Sequence, residues 1–174
     1  MTNRAGLRGK IGAALVTIPD RAALRRALAE LAWSLPLIVA LGYAGGLMEW
    51  GWAEDSALLA RLALVALVAP AFGEELLFRV IALPTPGQPA PAWRYILPVL
   101  LFVAWHPPQA LLFGPSWGEV VLNPWFLACV AVFGTAASRL YLATGSIWPS
   151  VALHWLVVVG WKAWFGAPSP WMAS

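Results

Sequence analysis

Residues 56–83 read SALLARLALVALVAPAFGEELLFRVIAL, and this stretch decides how the rest of the chain is understood. It is longer than the ~20 apolar residues that one perpendicular membrane crossing needs. It therefore reads as a membrane helix that tilts, or kinks near Pro70. Three charged residues fall inside it, in Gly73-Glu74-Glu75-Leu76-Leu77-Phe78-Arg79. An Arg or Asp at the centre of a membrane helix costs near ~3 kcal/mol on insertion scales, so three charges together call for a purpose. Glu75 and Arg79 are four apart, on one helix face and within reach of each other. Glu74 is rotated by about 100° from Glu75 at ~3.6 residues per turn and is left to face a neighbouring cavity. One carboxylate can then be held by the guanidinium while the other takes and gives protons. Spacing alone leaves a second reading open, in which all three charges cap a helix end at the headgroups or form a purely structural pair.

Further apolar segments flank this one. Upstream, Pro19-Asp20 marks a helix start with Asp20 as cap. Residues 21–31 place Leu24, Leu28 and Leu31 on one face and Arg21 and Arg25 on another, which suggests an amphipathic lead-in lying on the membrane surface. A first span follows over 31–48, where Gly42, Gly45 and Gly46 permit close helix contact. Residues 49–55, with three acids and two Trp, form an interfacial loop, and the proline-rich 84–91 a turn. A third span covers 93–113, broken at Pro107-Pro108, and 114–123 reads as a loop. A fourth span covers 124–143, 144–146 is a tight turn, and a fifth span covers 147–165. The expectation is an all-α polytopic membrane bundle of about five transmembrane helices plus an N-terminal amphipathic interfacial helix. Its divisions are a basic segment 1–30, a membrane domain 31–166 with its motifs over about 60–158, and a tail 167–174.

Composition agrees. Hydrophobic residues make up 61% and charged residues 11% of the chain, against about 25% charged in soluble domains. Twelve Trp suit two membrane–water boundaries. Six of the eleven basic residues lie at Arg4, Arg8, Lys10, Arg21, Arg25 and Arg26, as expected of a retained cytoplasmic end facing anionic lipid. The net charge of +3 is a poor basis for nucleic-acid binding, and none is expected. Residues 11–18 lack the length and cleavage site of a signal peptide. The single cysteine, Cys129, cannot form an internal disulfide and reads as a packing residue.

Both histidines, His106 and His154, lie in apolar spans. Counted from the inner helix ends at ~1.5 Å per residue, Glu74 lies roughly 15 Å deep, His106 roughly 20 Å and His154 roughly 10 Å. Three helices thus bring ionisable groups to a similar level. Pro107-Pro108 opens the helix after His106 and leaves carbonyls tolerable only beside protein or water. A carboxylate and a histidine can activate one water, and a second histidine can donate to an oxyanion. Ser138 and Ser150 lack a Gly-x-Ser-x-Gly setting. Two His and two Glu could instead ligate a divalent metal, although a His-Glu-x-x-His helix is missing.

Three motifs carry a resemblance: Glu74-Glu75-x-x-x-Arg79, Phe102-x-x-x-His106, and Leu140-Tyr141-x-x-Thr144-Gly145-Ser146-Ile147-x-x-Ser150-x-x-x-His154. In order and at these separations they resemble the CAAX protease and bacteriocin-processing enzymes, intramembrane proteases related to the Ras-converting enzyme and bacterial Abi proteins. The resemblance implies a helical membrane peptidase with a cytosol-facing cavity, in which Glu74 activates water with help from His106. Glu75 and Arg79 would form a supporting pair, and His154 would bind the oxyanion. It also implies no metal or other cofactor, a metal-dependent version being the alternative. The expected substrate is a membrane-associated peptide or protein: a leader, a C-terminal sorting signal or a CAAX-like tail. The expected place is the bacterial inner membrane with the N-terminus cytoplasmic. One position departs from the pattern. The third motif usually carries Asn four residues after its His, where this chain has Val158. Removing an oxyanion donor costs about 10²–10³ in rate, so a catalytically impaired scaffold or immunity-type relative is the competing expectation.

Overall fold

The computed structural model describes residues 4–113 and 115–166, and among these there is helix and no strand. The helices are α1 (Arg4–Val16), α2 (Arg21–Ala44), α3 (Ser56–Ala66), α4 (Trp93–Trp105), α5 (Ala110–Phe113), α6 (Pro115–Val121), α7 (Pro124–Thr144) and α8 (Trp148–Trp164). Two π-helical runs, Leu67–Glu74 and Leu76–Ile81, continue α3, and a 3₁₀ turn, Pro107–Gln109, follows α4. The tail expected at 167–174 lies outside the described residues.

Among the described residues, four helical stretches are long and apolar enough to cross a membrane: Arg21–Ala44, Ser56–Ile81, Trp93–Leu112 and Pro124–Thr144. The chain is an integral membrane protein of the helical-bundle class. The fifth expected span is α8, a helix of 17 residues that falls just short of a full perpendicular crossing.

Local chemistry sets the ends. Asp20 accepts from the Ala23 amide at 2.7 Å, and Asp55 from the Leu58 amide at 2.9 Å. Asn123 caps α7, with Pro124 in the first turn where its missing N–H costs nothing. Gly145 ends α7 at φ 68°, a left-handed conformation open to glycine without steric cost. The distortion expected near Pro70 is a π-helix. Pro70 has no N–H to continue the α pattern, and the ladder widens to bonds such as Ala82 N–H to Leu77 O, 3.1 Å.

Two expectations are corrected. Residues 21–31 are not a separate surface helix but the first turns of α2, since nothing between Arg21 and Pro36 breaks the helix. Glu30, on that segment, is buried and pairs with Arg139 of α7 at 2.9 Å. The separate N-terminal helix lies earlier, as α1. Residues 114–123 are not a plain loop, because Pro115–Val121 is helical, with Pro115 at a position that suits a first turn.

Among the described residues, helices α2 and α7 share the most extensive helix–helix contact. A Cβ on Gly45 would sit 2.3 Å from Trp125 Cβ, so the expected close helix contact is made at Gly45, whereas Gly42 meets Met48 and Gly46 has open space beside it. α4 and α8 pack on α7, and α3 packs on α8. α1 closes the end of the bundle where α3 finishes and α8 begins. Lys10 Nζ donates to Leu83 O, and Ser146 Oγ donates to Thr17 O at 2.7 Å. Trp148 Nε1 donates to Leu15 O at 2.8 Å. At the opposite end the 49–53 segment pairs its amides with the carbonyls of Ala163, Trp164 and Phe165.

Candidate active site

The five expected residues come from three helical segments and converge. Glu74, Glu75 and Arg79 lie on the π-helical continuation of α3, His106 just past α4, and His154 on α8. Glu75 and Arg79 are both fully buried and form an ion pair, Oε2 to Nε 3.1 Å. The guanidinium lies over the Phe102 ring at 4.5 Å. Neither terminal guanidinium nitrogen has a hydrogen-bond partner among the described residues, so Glu75 and an aromatic face carry the burden of holding that charge. Gly134 on α7 leaves room for this stack. A Cβ there would lie 3.0 Å from Phe102 Cδ1 and 3.6 Å from Arg79 Nη2.

Glu75 also meets His154, its Oε1 lying 3.0 Å from Nδ1. An ionised carboxylate can only accept, so Nδ1 carries the hydrogen. The other ring nitrogen, Nε2, lies 3.9 Å from Glu74 Oε2, beyond hydrogen-bond length. Glu74 is aimed by a neighbour, since Trp105 Nε1 donates to its Oε1 at 3.0 Å. His106 is held in the same manner as His154. Its Nδ1 lies 2.8 Å from Phe102 O, a carbonyl that can only accept, so this Nδ1 also bears the hydrogen and a neutral ring leaves Nε2 as a lone pair. Packing restrains both rings, with Phe133 centred 4.6 Å from His154 and Phe102 5.0 Å from His106.

Glu74, His106 and His154 line one cavity of about 420 Å³, whose walls are otherwise largely apolar. Glu75 and Arg79 stand behind it. Val158 lines the cavity one turn beyond His154, so the departure from the motif falls within the site. Among the described residues, no three His, Cys, Asp or Glu side chains are grouped to hold a metal ion. Three lining or contacting groups carried no mark in the sequence. Trp105 is one Trp among twelve, Gln109 accepts from Trp117 Nε1 at 3.2 Å, and Gly134 is a small residue in an apolar helix. Only the position of Trp105, directly before His106, hints that it faces the same space.

A carboxylate near a basic ring nitrogen on the wall of this cavity, backed by a buried ion pair, has the parts for proton transfer to and from a bound molecule. The chain matches no curated protein and no solved structure. Residues 56–160, which make up more than half of the chain and include Glu74, Glu75, Arg79, His106 and His154, match the family model described as type II CAAX prenyl endopeptidase Rce1-like. With its helical membrane bundle and this cluster of residues, the chain belongs to the Rce1-like family of CAAX proteases.

Proposed function

We propose that this protein is an intramembrane endopeptidase of the glutamic type. The carrying observation is the Glu74 carboxylate in the cavity, aimed by Trp105, with Oε2 3.9 Å from His154 Nε2. That gap is too long for a direct hydrogen bond and suits a shared molecule between the two groups. In the proposed reaction, Glu74 accepts a proton from water as the water oxygen attacks the carbonyl carbon of the scissile peptide. His106 Nε2 accepts the second water hydrogen and orients the nucleophile. The carbon–nitrogen bond then breaks as Glu74 returns its proton to the leaving nitrogen, giving a free carboxylate and a free amine. His154 donates to the oxyanion only when Nε2 bears hydrogen, because Nδ1–H is engaged by Glu75. Glu75 and Arg79 act as positioning residues, fixing that ring. No metal enters this scheme.

The proposed substrate is a membrane-associated peptide or protein, its cleaved segment a leader, a C-terminal sorting signal or a CAAX-like tail. The proposed setting is a bacterial inner membrane with the N-terminus in the cytoplasm. Glu74→Gln keeps the shape of the side chain and removes its base. Cells carrying it accumulate an uncleaved precursor, read by comparing chain termini in membrane fractions with and without the substitution. Unchanged termini overturn the proposal. A second reading, a non-proteolytic scaffold on the same fold, is favoured by Val158, which presents no hydrogen-bond donor to the cavity. Under that reading Glu74→Gln leaves both termini and function unaltered.

A further inference from the structure

The cavity extends well beyond the cluster of Glu74, His106 and His154. Along α8 its wall is made by His154, Val157, Val158, Trp161 and Lys162, whose spacing puts them on one helix face. The wall thus runs from the reactive histidine, across an apolar stretch and away from α1, to a cation. At ~1.5 Å per helical residue, Lys162 lies about 12 Å along the axis from His154.

Lys162 is turned inward. A lysine near a helix end ordinarily snorkels towards water, and Lys162 stands in the last turn of α8. Its Nζ instead lies over the ring of Trp117 on α6, 5.9 Å from the centroid. The same indole donates from Nε1 to Gln109 Oε1 at 3.2 Å. An indole N–H can only donate, so the amide oxygen of Gln109 faces it and the NH2 group is the end that donates to a guest. Gln109, Trp117 and Lys162 all line the cavity. They form a second polar group on its wall, brought together from the 3₁₀ turn, α6 and α8.

A peptide lying against apolar walls takes its N–H groups, carbonyls and charges out of water, and each then needs a partner. Among the described residues, Lys162 is the one lysine or arginine on the wall. An ammonium in such surroundings selects a carboxylate, because charge-assisted bonds gain strength where water is scarce. It carries three N–H donors, so it can hold a contact within the protein and a bound anion at once. An extended chain rises ~3.3 Å per residue, and the span from His154 to Lys162 therefore fits about three or four residues.

We infer that Lys162 determines specificity by pairing with a substrate carboxylate about three or four residues from the scissile bond, while Gln109 donates to a peptide carbonyl between them. The carboxylate is the substrate's own C-terminus or an acidic side chain. The inference rests on the peptidase reading above.

Three probes test it. N-lauroyl-Ala-Ala-Ala has a first amide that stands for the scissile bond and a carboxylate three residues on. Its C-terminal amide lacks the charge, and N-lauroyl-Ala-Ala-Glu amide moves the charge to a side chain. Each is titrated, with tryptophan fluorescence as the readout, onto the full chain in lipid nanodiscs. The Glu74→Gln background prevents turnover. Partition of a probe into the lipid is common to all variants, so ratios between variants report on the protein. At least one acid binds about tenfold or more tightly than the uncharged amide, the scale of one bond to a charged group. Lys162→Met abolishes that ratio and leaves the affinity for the uncharged amide in place, which also shows that the variant is folded; Lys162→Arg keeps the ratio. A tighter free acid assigns the site to a chain terminus, and a tighter glutamyl probe to a side chain. Equal binding of all three probes, or a preference that survives Lys162→Met, overturns the inference. An undiminished preference with N-lauroyl-Ala, whose carboxylate is one residue on, overturns the spacing. The readout is binding, so unchanged chain termini with Glu74→Gln would remove the peptidase reading without altering these ratios.

Discussion

Arg79→Met isolates the energetics of the buried pair. Glu75 and Arg79 are fully shielded from solvent at 3.1 Å, so no water compensates when one charge is deleted. Removing one partner of such a pair costs about 3–5 kcal/mol, because the remaining charge is stranded. At 1.4 kcal/mol per tenfold, that is about two to three and a half decades in the folding equilibrium. Methionine fills much of the volume beside Phe102, so cavity formation adds little. Replacing both partners, with Glu75→Gln and Arg79→Met together, removes the stranded charge while leaving the glutamine oxygen to accept from His154 Nδ1. The double variant therefore regains most of the loss. The assay is reversible unfolding of the purified protein in mixed micelles, run as a double-mutant cycle with wild type and both single variants. An Arg79→Met penalty below about 1 kcal/mol, the ordinary range for exposed pairs, refutes the reasoning, as does a cycle without coupling.

Other perturbations reach the site from different sides. Val158→Asn places an amide one turn beyond His154 on the cavity wall and raises kcat, by up to about 10²–10³ if the second oxyanion donor is what the chain lacks; turnover of the identified precursor reads it. Trp105→Phe deletes the 3.0 Å bond that aims Glu74 and lowers kcat about tenfold, the scale of one hydrogen bond to a charged acceptor, with KM little changed in the same assay. At the α1 end, burial first and the Arg94 charge second hold the Lys10 amine below its ordinary 10.5. The unfolded chain then binds more protons than the folded one in the window from the lowered value up to 10.5, so stability rises with pH across it. Lys10→Met flattens that rise, read as the thermal midpoint in detergent against pH.

Much of this molecule is legible in its sequence. The charges at Glu74, Glu75 and Arg79 stand out against an apolar run because burying them is costly, and their i, i+4 spacing correctly paired Glu75 with Arg79. Asp20, Gly145 and the small residues near Gly45 announced helix ends and a close contact through strictly local chemistry. The errors fell where local signals are weak. The surface helix expected over 21–31 belongs to a span because Glu30 finds Arg139, a partner 109 residues away. The helix at Pro115–Val121 packs beside α5 and α7 without a strong pattern of its own.

Composition, hydropathy and helix periodicity act over a few residues, and they determined that the chain spans a membrane and which ionisable groups are buried in it. Only the packing of distant helices decided what those groups meet. It placed Trp105 on Glu74, set both imidazoles with Nδ1 engaged, and put the cavity in the half of the bundle away from α1. A side chain's partner across a helix interface depends on crossing angles and rotamers summed over the whole bundle, and no window of sequence contains that sum.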